Sequence, residues 1–152
     1  MDKVDAVSVT VEHRVPLDLA TGACSPGSLP TGNLIPLLHE IRHALARWLD
    51  GGHTHAIDLR SIPMSPGEEQ RLLELLGVGE VRANLSALGS SEIIETTFPA
   101  VWVVSHYNDD AVLVGRLVEI CQMPEILKSQ AEDAAAALLR LDDLLSKTET
   151  TV

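Results

Sequence analysis

The chain has 152 residues, enough for one hydrophobic core and not for two. Apolar residues make up 45% of it but aromatics only 3%, so aliphatic side chains must build that core. With 22 acidic against 11 basic residues the formal charge is −11, which repels phosphate backbones and anionic lipid and leaves a basic peptide or protein patch as the better electrostatic match.

The first patterned segment, VDAVSVTVE (4–12), sets Val7, Val9 and Val11 on one side of an extended chain and predicts a strand. From Pro16 to Gly32 the composition turns to Pro, Gly, Ser and Thr, an arm leading into the compact part. MDKVDAVSVTVEH has no basic region followed by an apolar core, and no apolar run approaches the ~20 residues of a membrane span. A cytoplasmic protein is expected. Cys24 and Cys121 lie far apart and outside any C-x-x-C pattern, and are expected as reduced thiols.

Asn33 to Asp50 predicts a helix, with Asn33 as cap and Pro36 tolerated in the first turn, where its missing N–H has no intrahelical partner. Leu34, Leu37, Leu38, Ile41, Leu45, Trp48 and Leu49 form its apolar stripe, and Gly51-Gly52 ends it. HAIDLRSI (55–62) alternates His55, Ile57 and Leu59 against Ala56, Asp58 and Arg60 and predicts a short strand. Ser65-Pro66-Gly67-Glu68 is a capping box with proline at the first helical position. The helix it opens runs through Leu72, Leu73 and Leu76 to Gly77.

Residues 80 to 87 place Val81, Ala83, Leu85 and Ala87 inward and Glu80, Arg82, Asn84 and Ser86 outward. Three further extended segments are predicted at 91–98, 100–107 and 112–121, the last two joined by a turn at Asn108-Asp109-Asp110. A second capping box, Ser129 to Glu132, opens a helix with Ala134, Ala137, Leu138, Leu141, Leu144 and Leu145 on one face. The order is strand, helix, strand, helix, four strands, helix. That predicts an α+β fold: a mostly antiparallel sheet of about four to six strands packed with three helices in a single layered domain. The expected organisation is an arm over 1–32, the domain over 33–146 and a flexible tail over 147–152.

His39-Glu40-Ile41-Arg42-His43 matches H-E-x-x-H, in which two histidines one turn apart hold zinc and the glutamate activates a bound water. On the helical wheel both histidines lie opposite the stripe centred near Ile41, on the polar face with Arg47 and Asp50. No third ligand follows at metzincin spacing, where Ala46 and Leu49 stand; His53 and His55 are the nearest candidates. Two surface histidines is the preferred reading, and a zinc-dependent hydrolase or metal carrier the alternative. No cofactor or metal is expected. Gly77-Val78-Gly79 lacks the third glycine of a phosphate loop, no G-x-S-x-G is present, and no enzyme is predicted.

Four phrases in order, LLHEIRHAL (37–45), IDLRSIPMSPGEEQRLLELLGVGEVRA (57–83), SEIIETTFPAVWVVSHYN (91–108) and LVEICQMPEIL (117–127), resemble the HupH/HyaF-type hydrogenase expression/formation proteins. The resemblance spans about residues 33 to 128. It implies an accessory factor in [NiFe] hydrogenase maturation that handles the iron–sulfur small-subunit precursor. Family members are often about twice this length, with two related conserved regions, so the resemblance implies a single-copy relative, expected to pair with itself or with a longer paralogue. The residues matching the phrases, and expected to form a partner-binding surface, are Glu80, Arg82, Glu92, Glu95, Trp102, His106, Glu119 and Glu125, with Pro124 beside the last. A hydrogenase small-subunit precursor or another maturation factor is the expected partner, through attraction between the acidic surface and a basic export segment.

Overall fold

The computed structural model describes residues 7–10, 30–86 and 89–149. Most of the Pro/Gly-rich arm, and Ala87, therefore lie outside the described residues. The chain divides after Gln122 into two compact units.

In the first unit, helix α1 spans Leu34–Gly51 and helix α2 spans Pro66–Leu76. Leu37, Ile41 and Ala44 of α1 are buried, with Leu34, Leu38, Leu45 and Trp48 packed beside them. Leu49 departs from expectation: it is 74% exposed, because it falls at the edge of the stripe in the last turn. Asn33 occupies the cap position, but its side chain makes no capping bond; its Nδ2 donates instead to the carbonyl of Pro63, at 2.6 Å. Gly52, at φ 70°, closes the helix by donating to the carbonyl of Trp48.

The capping box of α2 forms in both directions. Ser65 Oγ accepts from the N–H of Glu68 at 3.3 Å, and Glu68 Oε2 accepts from the N–H of Ser65 at 3.0 Å. The same carboxylate also accepts from Thr31 N–H, Thr31 Oγ1 and Gly32 N–H at 2.8–2.9 Å. Glu68 thus ties the chain entering α1 to the start of α2. These donors, led by the backbone N–H groups of Thr31 and Ser65, lower its pKa from 4.5 to about 2 against the opposing pull of desolvation.

Six strands form one antiparallel sheet: β1 (Val7–Thr10), β2 (His55–Asp58), β3 (Arg82–Ser86), β4 (Ser90–Glu95), β5 (Val101–Tyr107) and β6 (Leu113–Ile120), in the order β1-β3-β4-β5-β6-β2. Directly paired residues share a face. One face sets Ile57, Val101, Val103, Val118 and Ile120 against Leu37, Ile41 and Ala44 of α1 and Leu72 and Leu76 of α2. The other carries a second buried apolar set, Ala83, Ile93, Trp102 and Val104. Residues 101 to 105 of β5 are consequently all buried, which suits its run of β-branched side chains.

Of the inward residues expected of 80–87, the described ones turn inward, but toward the face opposite α1 and α2. Ala83 is buried there, and Leu85 and Val81 are half-buried. Asn108 makes the predicted turn by accepting at Oδ1 from the N–H groups of Asp110 and Val112, at 3.0 and 2.9 Å, while Ala111 takes φ 58°.

The second unit holds a short 3₁₀ turn, Glu125–Leu127, and helix α3, Ala131–Glu149. The helix begins one residue later than the predicted cap at Ser129 implies, since Ala134 N–H bonds to Gln130 O. It also continues past Lys147, and residues 150 to 152 lie outside the described set. No residue of α3 is buried.

Because the folded pKa of Glu68 is depressed, its stabilising contribution is complete above the unfolded value near 4.5 and is lost as pH falls toward about 2. Glu68→Gln is expected to lower the melting temperature by several degrees at neutral pH. The gap to the parent should close as pH falls through that window, as a pH series of thermal melts will show.

Candidate functional site

His39 and His43 are both exposed on α1, with ring centroids 6.3 Å apart and planes tilted by 39°. Glu40, the glutamate of the motif, is engaged elsewhere: its Oε1 pairs with Nε2 of His55 on β2 at 3.1 Å. His55, one of the two candidate third ligands, is therefore committed to the glutamate of the motif. Among the described residues no three His, Cys, Asp or Glu side chains are grouped to hold a metal ion.

The residues expected to bind a partner separate between the two sheet faces. Glu95, Trp102 and Glu119 stand directly opposite one another on β4, β5 and β6, a single row across the sheet. Trp102 is only 4% exposed, and its Nε1–H donates to the carbonyl of Cys121 at 3.1 Å, so the indole forms the floor of this row. Glu119 Oε2 lies 4.0 Å from the thiol of Cys121. His106, on the same face, joins its Nδ1 to Ser91 Oγ at 2.8 Å.

Arg82 and Glu92 point to the opposite face. Arg82 is exposed, whereas Glu92 is half-buried opposite Ser105. That face also carries a cluster that sequence reasoning missed. Arg116 donates from Nε to Ser105 Oγ at 3.0 Å and from a guanidinium nitrogen to Glu69 Oε1 at 2.6 Å, with both charged side chains largely covered. Residues 47 positions apart meet here, and no local spacing announces that. Glu80 is exposed between α2 and β3. Glu125, in the second unit, is exposed and pairs with Lys128 at 2.6 Å.

Three exposed apolar side chains of the first unit, Leu75, Val78 and Phe98, stand where α2 ends and the β4–β5 turn begins. Gly77, at φ 65°, ends α2, and Thr97 docks against it, donating from N–H and Oγ1 to the carbonyl of Leu76 at 3.0 and 2.8 Å. A Cβ on Gly77 would lie 2.6 Å from Thr97 Cγ2, and one on Gly79 would lie 2.4 Å from the Thr96 carbonyl oxygen. The Gly-Val-Gly run therefore lets two backbones approach.

The β4–β5 turn is closed by Thr96 N–H to Val101 O and Val101 N–H to Phe98 O, with Ala100 held at φ 67°, a left-handed conformation that costs an L-residue roughly 1–2 kcal/mol. Around this junction stand Leu75, Val78 and Phe98, all substantially exposed. The chain has one phenylalanine, and it is 48% exposed at the turn. Glu80 follows Val78 by two residues. Glu95 accepts from Gly79 N–H through its backbone carbonyl, so both carboxylate residues belong to the same corner. Sequence reading named these two glutamates but passed over Phe98, whose place in FPA, between two strands, is the local signal for an exposed turn.

Residues 32–148 match the family model described as HupH hydrogenase expression protein, C-terminal conserved region. The chain is 29% identical over 145 residues to the hydrogenase expression/formation protein HupH of Rhizobium leguminosarum bv. viciae, covering 94% of this chain and 51% of that protein. It is 31% identical over 121 residues to HoxQ of Cupriavidus necator, covering 78% and 43% respectively. A solved structure of the hydrogenase expression protein HupH from Thiobacillus denitrificans superposes with a TM-score of 0.75 at 35% identity, covering 78% of this chain and 99% of that one. The chain spans about half the length of the curated relatives it matches.

Two outcomes follow from this geometry. Metal analysis of untagged protein should find substoichiometric zinc and nickel, unchanged by His39→Ala; stoichiometric metal lost in that variant would reverse the reading of the motif. Gly79→Ala should destabilise the fold, because its Cβ meets a backbone carbonyl that cannot rotate away, and denaturant titration should show the midpoint falling with the slope unchanged.

Proposed function

The chain belongs to the HupH/HoxQ/HyaF family of hydrogenase expression/formation accessory proteins, and from that premise we propose that it is a non-catalytic binding protein for a hydrogenase small-subunit precursor. Family membership supplies the hydrogenase. The observation that carries the binding role is the corner of Leu75, Val78 and Phe98, exposed beside Glu80 and Glu95 on rigid elements.

Exposed aromatics anchored on a fixed turn make good hot spots, because little side-chain entropy is lost on docking. An apolar patch bordered by carboxylates, on a chain of net charge −11, suits an extended segment that combines apolar side chains with Lys or Arg. A basic export segment of the precursor has that chemistry, and the surrounding acids would raise its rate of capture. The row Glu95–Trp102–Glu119 extends acidic character across the sheet from the same corner. Among the described residues no helix is long and apolar enough to cross a membrane.

The test is pull-down of precursor small subunit from cell extract on immobilised protein. Retention is expected at low salt, should weaken as salt rises, and should fall when the basic segment is deleted. Phe98→Asp should reduce retention by at least roughly tenfold, the scale of a hot-spot loss, without lowering the melting temperature. Failure to retain any hydrogenase component at low salt would remove the proposal.

A further inference from the structure

Helix α3 is 19 residues long and buries none of them. Leu138, Leu139, Leu141, Leu144 and Leu145 are each more than half exposed. At about 100° per residue, all but Leu139 fall with Ala134, Ala137 and Thr148 in one stripe roughly 120° wide and centred on Leu141. A lone helix of this length is marginal in water, and most helical stability comes from packing such a stripe against something. The helix also lies within the family-matched span, up to residue 148.

The flanks of the stripe indicate what covers it. One edge carries Asp133, Arg140 and Lys147; the other carries Asp142 and Glu149, with Ala135 level with Asp133. When two copies of this helix lie in parallel, each edge faces the opposite edge of its mate. Arg140 then meets Asp142 of the second copy, Lys147 meets Glu149, and Asp133 meets only Ala135, each twice over by symmetry. Lys147 also pairs with Asp143 on its own helix, an exposed contact of small energy that the ammonium would exchange for or share with Glu149 of the second copy, so Arg140 with Asp142 is the more telling pair. In an antiparallel pair like edges meet, which sets Asp133 against Lys147 but also Arg140 against its own counterpart and Asp142 near Asp142, so repulsion offsets the gain. A partner of unrelated sequence would need no such self-complementary charge.

We infer that α3 pairs in parallel with α3 of a second copy of this chain, its leucine stripe forming the seam and Arg140 with Asp142 fixing the orientation. Burying the stripe from both copies removes on the order of 1,000 Å² from water, the scale at which a specific interface begins. The inference stands independently of the maturation role, since it concerns a different unit of the chain and a different partner.

Sedimentation of the full chain over a wide concentration range tests it. The parent is expected at twice the chain mass. Leu141→Asp should sediment at the single-chain mass with the melting transition of the first unit retained. Arg140→Asp should weaken association by roughly tenfold, and the double variant Arg140→Asp with Asp142→Arg should restore it. A parent that stays at single-chain mass at every concentration would overturn the inference. So would a Leu141→Asp variant that keeps the parent's mass, or a charge swap that fails to restore pairing.

Discussion

One carboxylate joins the two helix entries of the first unit. Glu68 accepts hydrogen bonds from Ser65, from Thr31 twice and from Gly32, groups that come from the entry to α1 and the entry to α2. A carboxylate with that many donors is held ionised even though little of the residue meets solvent. Fixing those two entries side by side sets how α1 and α2 lie on the sheet, and the apolar core from Leu37 to Leu76 fills the space they enclose.

The other end of α2 depends on the opposite strategy, absence of a side chain. Gly77 and Gly79 let the helix terminus run against Thr96 and Thr97 without a Cβ in the way. The carbonyl of Leu76 and the N–H of Gly79 are satisfied by the β4 edge and turn rather than by water. That closure carries Phe98 outward on a turn that includes a left-handed alanine, so an exposed aromatic is held by backbone bonds on both sides. Strain of this kind persists only where its surroundings over-determine it, which is the condition for a pre-organised docking corner. The first unit thus presents an apolar corner on fixed elements, and α3 of the second unit carries a leucine stripe none of whose residues is buried.

Much of this was legible from residue order. The capping box at Ser65, the Asn108 turn, the alternation through Ile57 and Leu59, and the count of strands after α2 are local rules, each decided within a few residues by hydrogen-bond geometry or side-chain period. The wheel likewise puts His39 and His43 on the solvent face, where the structure has them. What failed did so where a distant group outcompeted the local one. Asn33 forgoes its cap for the Pro63 carbonyl.

The sequence by itself determined the α+β order of elements, the helix boundaries near Asn33, Ser65 and Gly77, and membership of a hydrogenase accessory family, because these reside in short-range pattern and in ordered phrases. Only the tertiary structure decided which face each strand residue meets. The residues expected to form one partner-binding surface are divided by the sheet, Arg82 and Glu92 on one face and Glu95, Trp102, His106 and Glu119 on the other, since pairing register alternates faces and is set by neighbours far along the chain. The Arg116–Glu69 pair and the Phe98 corner belong to the same class of fact: they arise from contacts between α2 and the strands, which no window along the sequence contains.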